Sequence, residues 1–380
     1  MRIGFDVSQT GKNKAGCGYF ADSLIRHLAD LDPNNEYILY PTFGDFFFDP
    51  DWPKSTRMIR RPNFKRGLAH RTFEAAQFFW SNPPQQAEAM LGAPDIIHAN
   101  NFYCPVWLKN TRLIYTLYDL IFIEHPEWTT EANRSGCFDG VFNASLRADY
   151  IVSISEYSRA HFLETFPHYP EEKVVTVYPA SRFAGKPAVP SRPDGLPPLE
   201  TGGFWLNVAT LEPRKNHERL LRAYARLKQH RGSTFPLVLV GARGWLIEGF
   251  RKRIAELGLE QDVLMPGYID DTALQWLYQN CFAFVYPSLF EGFGLPVLEA
   301  MSLGAPVISS NTSSLPEIVG SAGLLVDPLD VDSIFEAMLL LTEDEQTRIA
   351  LKECALERAN EFSWEHTARQ ILKLYESLAA

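Results

Sequence analysis

The sequence lacks the features that mark secreted, membrane-spanning and zinc-binding proteins. Its 380 residues include only five cysteines, and these are scattered without C-x-x-C spacing, so neither a disulfide framework nor a zinc site is indicated. No charge-free apolar run approaches the ~20 residues that a membrane span needs. The opening segment has the pattern of a strand and a loop rather than of a secretion signal. We therefore expect a cytoplasmic protein.

An excess of positive charge is also lacking, with one local exception. The formal net charge of −10 argues against general binding of nucleic acid. The exception is residues 57–71, called here the basic segment, whose cations are Arg57, Arg60, Arg61, Lys65, Arg66 and Arg71. It runs into the aromatic stretch FEAAQFF, and we expect a loop and a helix there. One interpretation is a solvated basic face; the other is contact with anionic lipid headgroups or a lipid-linked diphosphate acceptor at the inner face of the cell membrane.

Apolar runs of strand type alternate with helical patterns, and this rhythm occurs twice. The runs lie at 3–7, 37–40, 95–99, 112–120, 150–154 and 173–178, and again at 204–210, 236–241, 262–267, 281–287, 305–310 and 323–328. Such alternation predicts parallel sheets. Prolines and glycines in residues 186–203 predict a linker. We therefore predict two α/β domains, 1–185 and 204–362, with ligands bound beyond the carboxyl ends of the strands.

The segment EGFGLPVLE, residues 291–299, is the most informative motif. It sets Glu291 and Glu299 eight positions apart around two glycines and a proline, directly after a strand-like run. Pro296 suits the first position of a helix, where backbone N–H groups lack intrahelical partners and the helix dipole is positive. A phosphate fits there. Glu299, expected in the first helical turn, would accept hydrogen bonds from hydroxyls attached to that phosphate, so the motif predicts a nucleotide-sugar site.

Three further motifs each have a functional and a structural interpretation. Gly16 and Gly18 would let the backbone approach a phosphate or a sugar, or would form a turn at the start of a helix. A nicotinamide fingerprint there is disfavoured, because a loop separates the glycines from the preceding strand. Arg214 and Lys215 follow a strand and would stabilise negative charge on a leaving diphosphate, or would be ordinary surface cations. Asp119 ends a strand, where it would face a cleft or cap a turn.

Metal ligation is considered at Asp49 and Asp51, whose D-x-D spacing resembles that of known metal-binding carboxylate pairs. The same spacing recurs at residues 30 and 32 and at 330 and 332, and flanking prolines favour a surface turn. We predict catalysis without a metal or another cofactor. His98 and His125 are expected to be hydrogen-bonded structural residues.

Taken together, several segments strongly resemble the retaining glycosyltransferases of family four, which have the GT-B fold. They are GCGYF, YDLIFIEHPE, SISEYSRAHF, TLEPRKN, GARGW, MPGYIDD, EGFGLPVLEAMSLGAPVISSN and LPEIVGSAGLLVDP. The resemblance implies an α/β protein in which two Rossmann-like domains face each other across a deep cleft. It also implies transfer of a sugar from a nucleotide diphosphate donor with the anomeric configuration kept. Residues 363–380 resemble the family's closing helix, which returns to the N-terminal domain.

The resemblance implies roles for the C-terminal domain. Glu299 would bind the ribose hydroxyls and Glu291 the donor sugar's hydroxyls, while Lys215 matches the phosphate-binding lysine, with Arg214 beside it. Thr210 stands where many relatives carry a second arginine. The backbone of three residues would serve the sugar and diphosphate: Phe293, Gly294 and Leu295. Another three would recognise the base: Gly267, Tyr268 and Ile269.

In the N-terminal domain, which would bind the acceptor, Gly16 and Gly18 match the loop near the phosphates. Tyr118 replaces a histidine that usually lies against the donor sugar, and Asp119 is retained as a polar contact near the sugar or acceptor. The implied activity is transfer of a hexose, with mannose from GDP-mannose favoured, to a glycan or lipid-linked saccharide of a surface polysaccharide such as lipopolysaccharide. A nucleotide-sugar hydrolase or epimerase, and a noncatalytic nucleotide-sugar-binding module, are the alternatives.

Overall fold

The computed structural model describes residues 1–12, 14–185, 189–242, 244 and 249–379, and the chain forms two compact units. The first unit is Met1–Pro179 with Ser363–Ala380, and the second is Ala180–Phe362. Each unit is built on one sheet in which all paired strands are parallel. The prediction of two parallel α/β units is therefore confirmed.

The first unit contains a seven-stranded sheet in the order β3-β2-β1-β4-β5-β6-β7. Its elements are β1 (Arg2–Asp6), α1 (Gly16–Leu31), β2 (Glu36–Tyr40), α2 (Trp52–Ser55), β3 (Phe64–Arg66), α3 (Phe73–Ser81), α4 (Ala87–Met90), β4 (Ile96–Ala99), β5 (Arg112–Leu117), α5 (Ile121–Glu124), α6 (Glu131–Arg147), β6 (Tyr150–Ser153), α7 (Glu156–Thr165) and β7 (Val174–Thr176). The central strands are buried on both faces, which explains why they appear in the sequence as nearly continuous apolar runs.

The second unit contains a six-stranded sheet in the order β10-β9-β8-β11-β12-β13. Its elements are β8 (Trp205–Val208), α8 (His217–Arg231), β9 (Leu237–Val240), α9 (Phe250–Glu256), β10 (Val263–Gly267), α10 (Asp271–Asn280), β11 (Ala283–Tyr286), α11 (Leu295–Ser302), β12 (Val307–Ser310), α12 (Leu315–Val319), β13 (Leu324–Val326), α13 (Val331–Glu343) and α14 (Glu345–Ala359). The last helix, α15 (Trp364–Ala379), belongs to the first unit.

Helix α15 packs on α1 within the first unit. The Trp364 ring lies edge-on to Phe20 at 5.8 Å, and the Tyr375 hydroxyl lies 2.7 Å from Nδ1 of the buried His98. Burial lowers the pKa of His98 to about 3, so this histidine is a neutral hydrogen-bonded core residue. None of the helices in the described part of the chain is both long and apolar enough to cross a bilayer.

The basic segment differs from the predicted loop and helix, because it also contains the edge strand β3. Phe64 turns inward and stacks on Tyr37 at 4.5 Å, which provides the apolar contact that holds this short strand on the sheet. Lys65 and Arg66, its other two residues, are exposed. A strand of three residues with two cations gives no apolar run, and the sequence analysis missed it for that reason.

The order of strands reverses at one point in each sheet. In the first unit the reversal lies between β1 and β4, and in the second it lies between β8 and β11. In open parallel sheets, the crevice at the carboxyl ends of two such strands is where ligands bind. The segments that follow β8 and β11 are therefore the first place to look for a site.

Candidate active site

Two loops of the second unit meet at the reversal point between β8 and β11. The loop after β8 carries Arg214 and Lys215 in a short 3-10 turn, and the loop after β11 carries Glu291. Backbone contacts join the loops, since the Leu289 N–H donates to the Arg214 carbonyl at 2.7 Å and the Ser288 hydroxyl does so at 3.0 Å. The fold thus brings Glu291 together with Arg214 and Lys215, which precede it in the sequence by 77 and 76 positions.

These residues form a buried acid–cation cluster, which we define as Glu212, Arg214, Lys215 and Glu291. Lys215 Nζ lies 2.5 Å from Glu291 Oε1, and Arg214 Nη1 lies 2.8 Å from Glu291 Oε2. Arg214 Nε lies 2.7 Å from Glu212 Oε1. Two cations therefore face two carboxylates in the cluster. Sequence reasoning missed Glu212, although it lies within the TLEPRKN motif.

Hydroxyl groups complete the surroundings of Glu291. Its Oε1 accepts hydrogen bonds from Tyr286 at 2.9 Å and from Ser288 at 2.6 Å, in addition to the contact with Lys215. Because a carboxylate oxygen has about two lone-pair sites, Oε1 is filled, and further capacity remains only at Oε2 beside Arg214. Glu291 therefore anchors both cations, and its predicted contact with donor-sugar hydroxyls stays a prediction.

The charges and the burial of the cluster shift the pKa values of Glu291 and Lys215. Burial by itself would raise the pKa of Glu291, but Arg214, Lys215 and the Ser288 hydroxyl outweigh it and lower the pKa to about 2. Burial and the neighbouring Arg214 lower the pKa of Lys215, against the opposing effect of Glu291 and Glu212. Such a fixed set of ionised groups can stabilise charge that develops on a leaving group without reorganising.

The N-terminus of α11 lies on the same loop as Glu291. Its N-cap, Gly294, has φ of 107° and offers no side chain to accept from the first N–H groups of the helix. A Cβ at Gly294 would lie 2.6 Å from Leu315 Cδ2, so both conformation and space require glycine here. The neighbouring Phe293 is buried, and Leu295 is the first helical residue. Pro296 is therefore the second residue of the helix rather than the first.

Glu299 is the fifth residue of α11, so the prediction that it lies in the first helical turn is wrong. The helix begins at Leu295, one residue before the predicted first position at Pro296, so Glu299 lies just beyond the first turn. Glu299 is buried, and Arg182 contacts both of its oxygens, with Nε 2.8 Å from Oε1 and Nη2 3.1 Å from Oε2. Tyr278 donates to Oε2 at 3.3 Å. Burial raises the pKa of Glu299, and the Arg182 guanidinium only partly offsets that effect.

The other predicted residues of the second unit lie at the same edge of the sheet. Thr210 follows β8 and is half-buried. Gly267 ends the edge strand β10 with φ of 80°, Tyr268 is 64 % exposed and Ile269 is half-buried. Strand β10 stands two positions from β8, a spacing of roughly 10 Å. In the GARGW motif, Arg243 and Trp245 lie outside the described residues.

In the first unit, Gly16 and Gly18 open α1 beyond the carboxyl end of β1. The N-cap Ala15 makes no side-chain hydrogen bond to the helix. A Cβ at Gly18 would lie 2.1 Å from the Gln9 carbonyl oxygen, so glycine lets the helix pack against the preceding loop. This close approach supports the structural interpretation of Gly18. The predicted binding of a ligand by Gly16 and Gly18 stays a prediction.

Tyr118 and Asp119 follow β5 in the first unit. The buried Tyr118 hydroxyl contacts two backbone carbonyls, of Asn100 at 2.8 Å and of Cys17 at 3.3 Å. Its hydroxyl thus ties the loop after β4 to the start of α1. Asp119 Oδ1 accepts from the Ile121 N–H at 3.2 Å, which is the turn-capping interaction considered from the sequence. Their contacts with a sugar or an acceptor stay predictions.

The D-x-D pair forms a local turn. Asp49 accepts from the Asp51 N–H at 2.8 Å and from the Ser55 hydroxyl at 2.6 Å. Within the described ranges, no group of three or more His, Cys, Asp or Glu side chains is arranged to hold a metal ion. His125 stacks on Trp128 at 3.8 Å and contacts Glu127.

Comparisons with known proteins agree with this architecture. The family described as Glycosyl transferases group 1 matches residues 194–358, and the family described as Glycosyltransferase Family 4 matches residues 15–180. O-antigen chain mannosyltransferase B of Escherichia coli is 36 % identical over 304 residues, which are 78 % of this chain and 78 % of that protein.

Two solved structures show the same fold at lower identity. Sucrose-phosphate synthase from Thermosynechococcus elongatus has a TM-score of 0.74 and 21 % identity, covering 100 % of this chain and 99 % of that one. HepE from Anabaena, in complex with UDP and glucose, has a TM-score of 0.72 and 19 % identity, covering 99 % and 100 %. Since both family descriptions and a relative matched over most of its length agree, the chain belongs to the family 4 glycosyltransferases of the GT-B fold.

Proposed function

We propose that this glycosyltransferase moves mannose from GDP-mannose to a glycan or lipid-diphosphate-linked saccharide, with retention of anomeric configuration, during synthesis of a bacterial O-antigen-type polysaccharide. The observation that carries the proposal is the acid–cation cluster beside the N-terminus of α11 at a strand-reversal point. The named activity of O-antigen chain mannosyltransferase B supports the choice of mannose.

The donor's diphosphate would bind between Lys215, Arg214 and the start of α11. Backbone N–H groups at a helix N-terminus and the positive end of its dipole attract phosphate oxygens. Three residues would supply that backbone: Phe293, Gly294 and Leu295. Arg214 has an exposed fraction of 23 % for its side chain against 8 % for Lys215, so Arg214 is the cation that a ligand reaches more easily.

The nucleoside would extend from the diphosphate along the edge of the sheet. Glu299 would accept from a ribose hydroxyl, and the backbone at Gly267, Tyr268 and Ile269 would contact the base. Thr210, between these positions and the cations, would line the same path without supplying charge. Recognition of the base through backbone groups is compatible with several bases, and the guanine in this proposal depends on the mannosyl relative.

Catalysis would be electrostatic and positional. As the bond between the anomeric carbon and the diphosphate breaks, negative charge grows on the leaving phosphate oxygen, and Arg214 and Lys215 stabilise it more than they stabilise the bound donor. The acceptor hydroxyl approaches from the same face, transfers its proton to that phosphate oxygen and forms the new glycosidic bond. Glu291 holds both cations in place and offers Oε2 to a sugar hydroxyl. No side chain acts as a covalent nucleophile.

The first unit would supply the acceptor side of the reaction. Asp119 would be the polar contact near the sugar or acceptor, and Gly16 and Gly18 would belong to the loop near the phosphates. Tyr118 would act by shape, because its hydroxyl is already held by two carbonyls. Since these carbonyls engage the hydroxyl, Tyr118 would have little capacity to donate a hydrogen bond to a sugar, unlike the histidine that it replaces.

Metal-independent transfer is part of the proposal, because Arg214 and Lys215 can supply the positive charge that a divalent cation supplies elsewhere. Transfer should persist after treatment with a chelator such as EDTA and after dialysis into metal-free buffer. Loss of transfer on chelation, with recovery on adding magnesium or manganese, would refute this part.

The test of the donor begins with thermal-shift measurements against GDP, UDP, ADP and dTDP. The nucleotide that raises the melting temperature most identifies the base, and the corresponding sugar conjugates are then assayed with oligosaccharide and lipid-linked acceptors. NMR of the product gives the anomeric configuration. Consumption of the donor without an acceptor would indicate a hydrolase or epimerase, and binding without transfer to any acceptor would indicate a noncatalytic module.

Contact with an anionic membrane through the basic segment is the last element of the proposal. Arg57, Arg61 and Lys65 are already engaged with Asp22, Asp30 and Glu36, so half of the predicted cations are compensated. Three exposed cations remain as the proposed contact (Arg60, Arg66 and Arg71), and the following helix α3 adds the aromatic side chain of Phe78, which is 71 % exposed.

Cosedimentation with liposomes containing anionic lipid tests this contact. The wild type is compared with a variant in which Arg60, Arg66 and Arg71 are serine, and with a control in which Arg61 and Lys65 are serine. Loss of binding should be larger in the first variant. Equal binding by all three proteins would show that this segment makes no membrane contact.

A further inference from the structure

Arg182 is a buried cation that sequence reasoning did not single out. It belongs to the second unit, near the boundary of that unit at Ala180, and a hydrogen bond of 2.8 Å between Ser302 and Ser181 ties this segment to α11. Its guanidinium contacts two carboxylates, Glu299 on α11 and Asp271 at the start of α10. Only 16 % of its side chain is exposed, so this is a defined contact rather than a surface pair.

The geometry of the Glu299 contact determines which hydrogen bonds remain for a ligand. Glu299 Oε2 accepts from Arg182 Nη2 at 3.1 Å and from the Tyr278 hydroxyl at 3.3 Å, which fills its roughly two lone-pair sites. Oε1 faces Arg182 Nε at 2.8 Å. Within the described part of the chain, Oε1 has no second polar contact, so this oxygen keeps capacity for one further donor.

We infer that Arg182 is a positioning residue of the donor site, which grips both oxygens of Glu299 and orients its Oε1 to accept one hydrogen bond from a ribose hydroxyl. This inference rests on the proposed function, because it takes Glu299 as the ribose-binding carboxylate. The guanidinium fork matches a carboxylate in a way that a lysine ammonium cannot. Arg182 also opposes the tendency of burial to raise the pKa of Glu299.

A purely structural ion pair would behave differently from a positioning pair. Loss of a structural pair would weaken binding of every nucleotide alike, through loosening of α10 and α11. Loss of a positioning residue would weaken only the part of the affinity that the ribose hydroxyls contribute. A thermodynamic cycle distinguishes these two outcomes. It combines removal of the ribose hydroxyls from the ligand with removal of the guanidinium from the protein.

The experiment measures dissociation constants of GDP and of 2′,3′-dideoxy-GDP for the wild type and the Arg182→Met variant. If thermal shift selects UDP, then UDP and its dideoxy form are used instead. We expect the wild type to bind the ribose form about tenfold or more tightly, the worth of a hydrogen bond to a charged group. In Arg182→Met the ribose form should lose most of that advantage, while the dideoxy form should bind as it does to the wild type.

Arg192 provides a matched control, because it lies in the same connecting region and stacks on Trp276 of α10 at 5.3 Å. The Arg192→Met variant should keep the wild-type preference for the ribose form. Removing Arg182 leaves a buried carboxylate without its main partner, which can destabilise the fold. The Arg182→Lys variant and the double variant Arg182→Met/Glu299→Gln reduce that risk, and both should also lose the ribose preference.

Equal weakening of both ligands by Arg182→Met and Arg182→Lys would overturn the inference and leave a structural pair. An unchanged ribose preference in these variants would overturn it too. Both of those results leave the proposed function standing, since the wild type still binds the nucleotide. Failure of the wild type to bind any nucleoside diphosphate would instead defeat the proposed function and the inference together.

Discussion

Glu291 and Glu299 follow the same strand, lie eight positions apart and are both buried, yet their surroundings differ. Glu291 contacts two cations and two hydroxyl groups, which lower its pKa to about 2 despite burial. Glu299 contacts one guanidinium and one phenol, and burial raises its pKa. The first carboxylate is an anion that anchors two cations, whereas the second contacts the Arg182 guanidinium and is proposed to bind a ribose hydroxyl. Two glutamates of one motif can therefore have different electrostatic surroundings and different chemical roles.

The largest expected effect comes from removing members of the acid–cation cluster around Glu291. Lys215→Ala and Glu291→Ala should each lower turnover by about 10² or more, the range seen when preorganised electrostatic contacts are lost. Transfer is measured as the initial rate at saturating donor. Lys228→Ala is the matched control, because Lys228, near the C-terminal end of α8, pairs with Asp262 before β10, and its loss should leave turnover unchanged. Near wild-type turnover in either cluster variant would remove these residues from the proposed mechanism.

The opposite pKa shifts predict opposite dependence of stability on pH. The ionised form of Glu291 stabilises the fold above its ordinary pKa of 4.5, and this contribution is lost as the pH falls towards about 2. Glu299 behaves inversely, because its pKa is raised above the ordinary value, so protonation of this residue stabilises the fold and that contribution is lost as the pH rises.

Urea unfolding of Glu291→Gln and Glu299→Gln at about pH 7 and about pH 4 measures this difference. Glu291→Gln should cost on the order of 3 kcal/mol at neutral pH, with the deficit shrinking in acid. Glu299→Gln should cost less at neutral pH, and its deficit should grow as the wild type gains from protonation. Parallel pH profiles for the two variants would contradict the assigned environments.

The sequence predicted the framework well because parallel strands buried on both faces appear as apolar runs. The family resemblance assigned Arg214, Lys215 and Glu291 to one donor site, and the structure brings their loops together because both follow strands at one reversal point. Sequence reasoning did not predict the Arg182 contact, because Arg182 and Glu299 are 117 positions apart and no spacing rule joins a connecting segment to a helix. The position of Glu299 in α11 was misplaced because the helix begins at Leu295, one residue earlier than the start predicted from Pro296.

A smaller effect separates the two carboxylates in binding and turnover. Glu299→Gln keeps the shape of the side chain but replaces one acceptor oxygen with an amide donor. We expect about a tenfold rise in the Michaelis constant for the donor, with turnover little changed, because a hydrogen bond from a ribose hydroxyl to a charged group is worth roughly 1.5 kcal/mol. Glu291→Gln should instead lower turnover. Steady-state kinetics on both variants measures these effects. A lower turnover in Glu299→Gln and a higher Michaelis constant in Glu291→Gln would contradict the assigned roles.

The finest test compares the two phenols that contact these carboxylates. Tyr286→Phe removes a hydrogen bond of 2.9 Å to Glu291, and Tyr278→Phe removes one of 3.3 Å to Glu299. Each substitution keeps the ring and deletes only the hydroxyl, so packing is conserved. Tyr286→Phe should cost about 1.5 kcal/mol of stability at neutral pH, since it takes a donor from a buried ionised group, and Tyr278→Phe should cost about 0.5 kcal/mol because its bond is long. Thermal or urea unfolding of the two variants gives both values, and a larger loss for Tyr278→Phe would mean that Glu299, rather than Glu291, depends more on its hydroxyl partner.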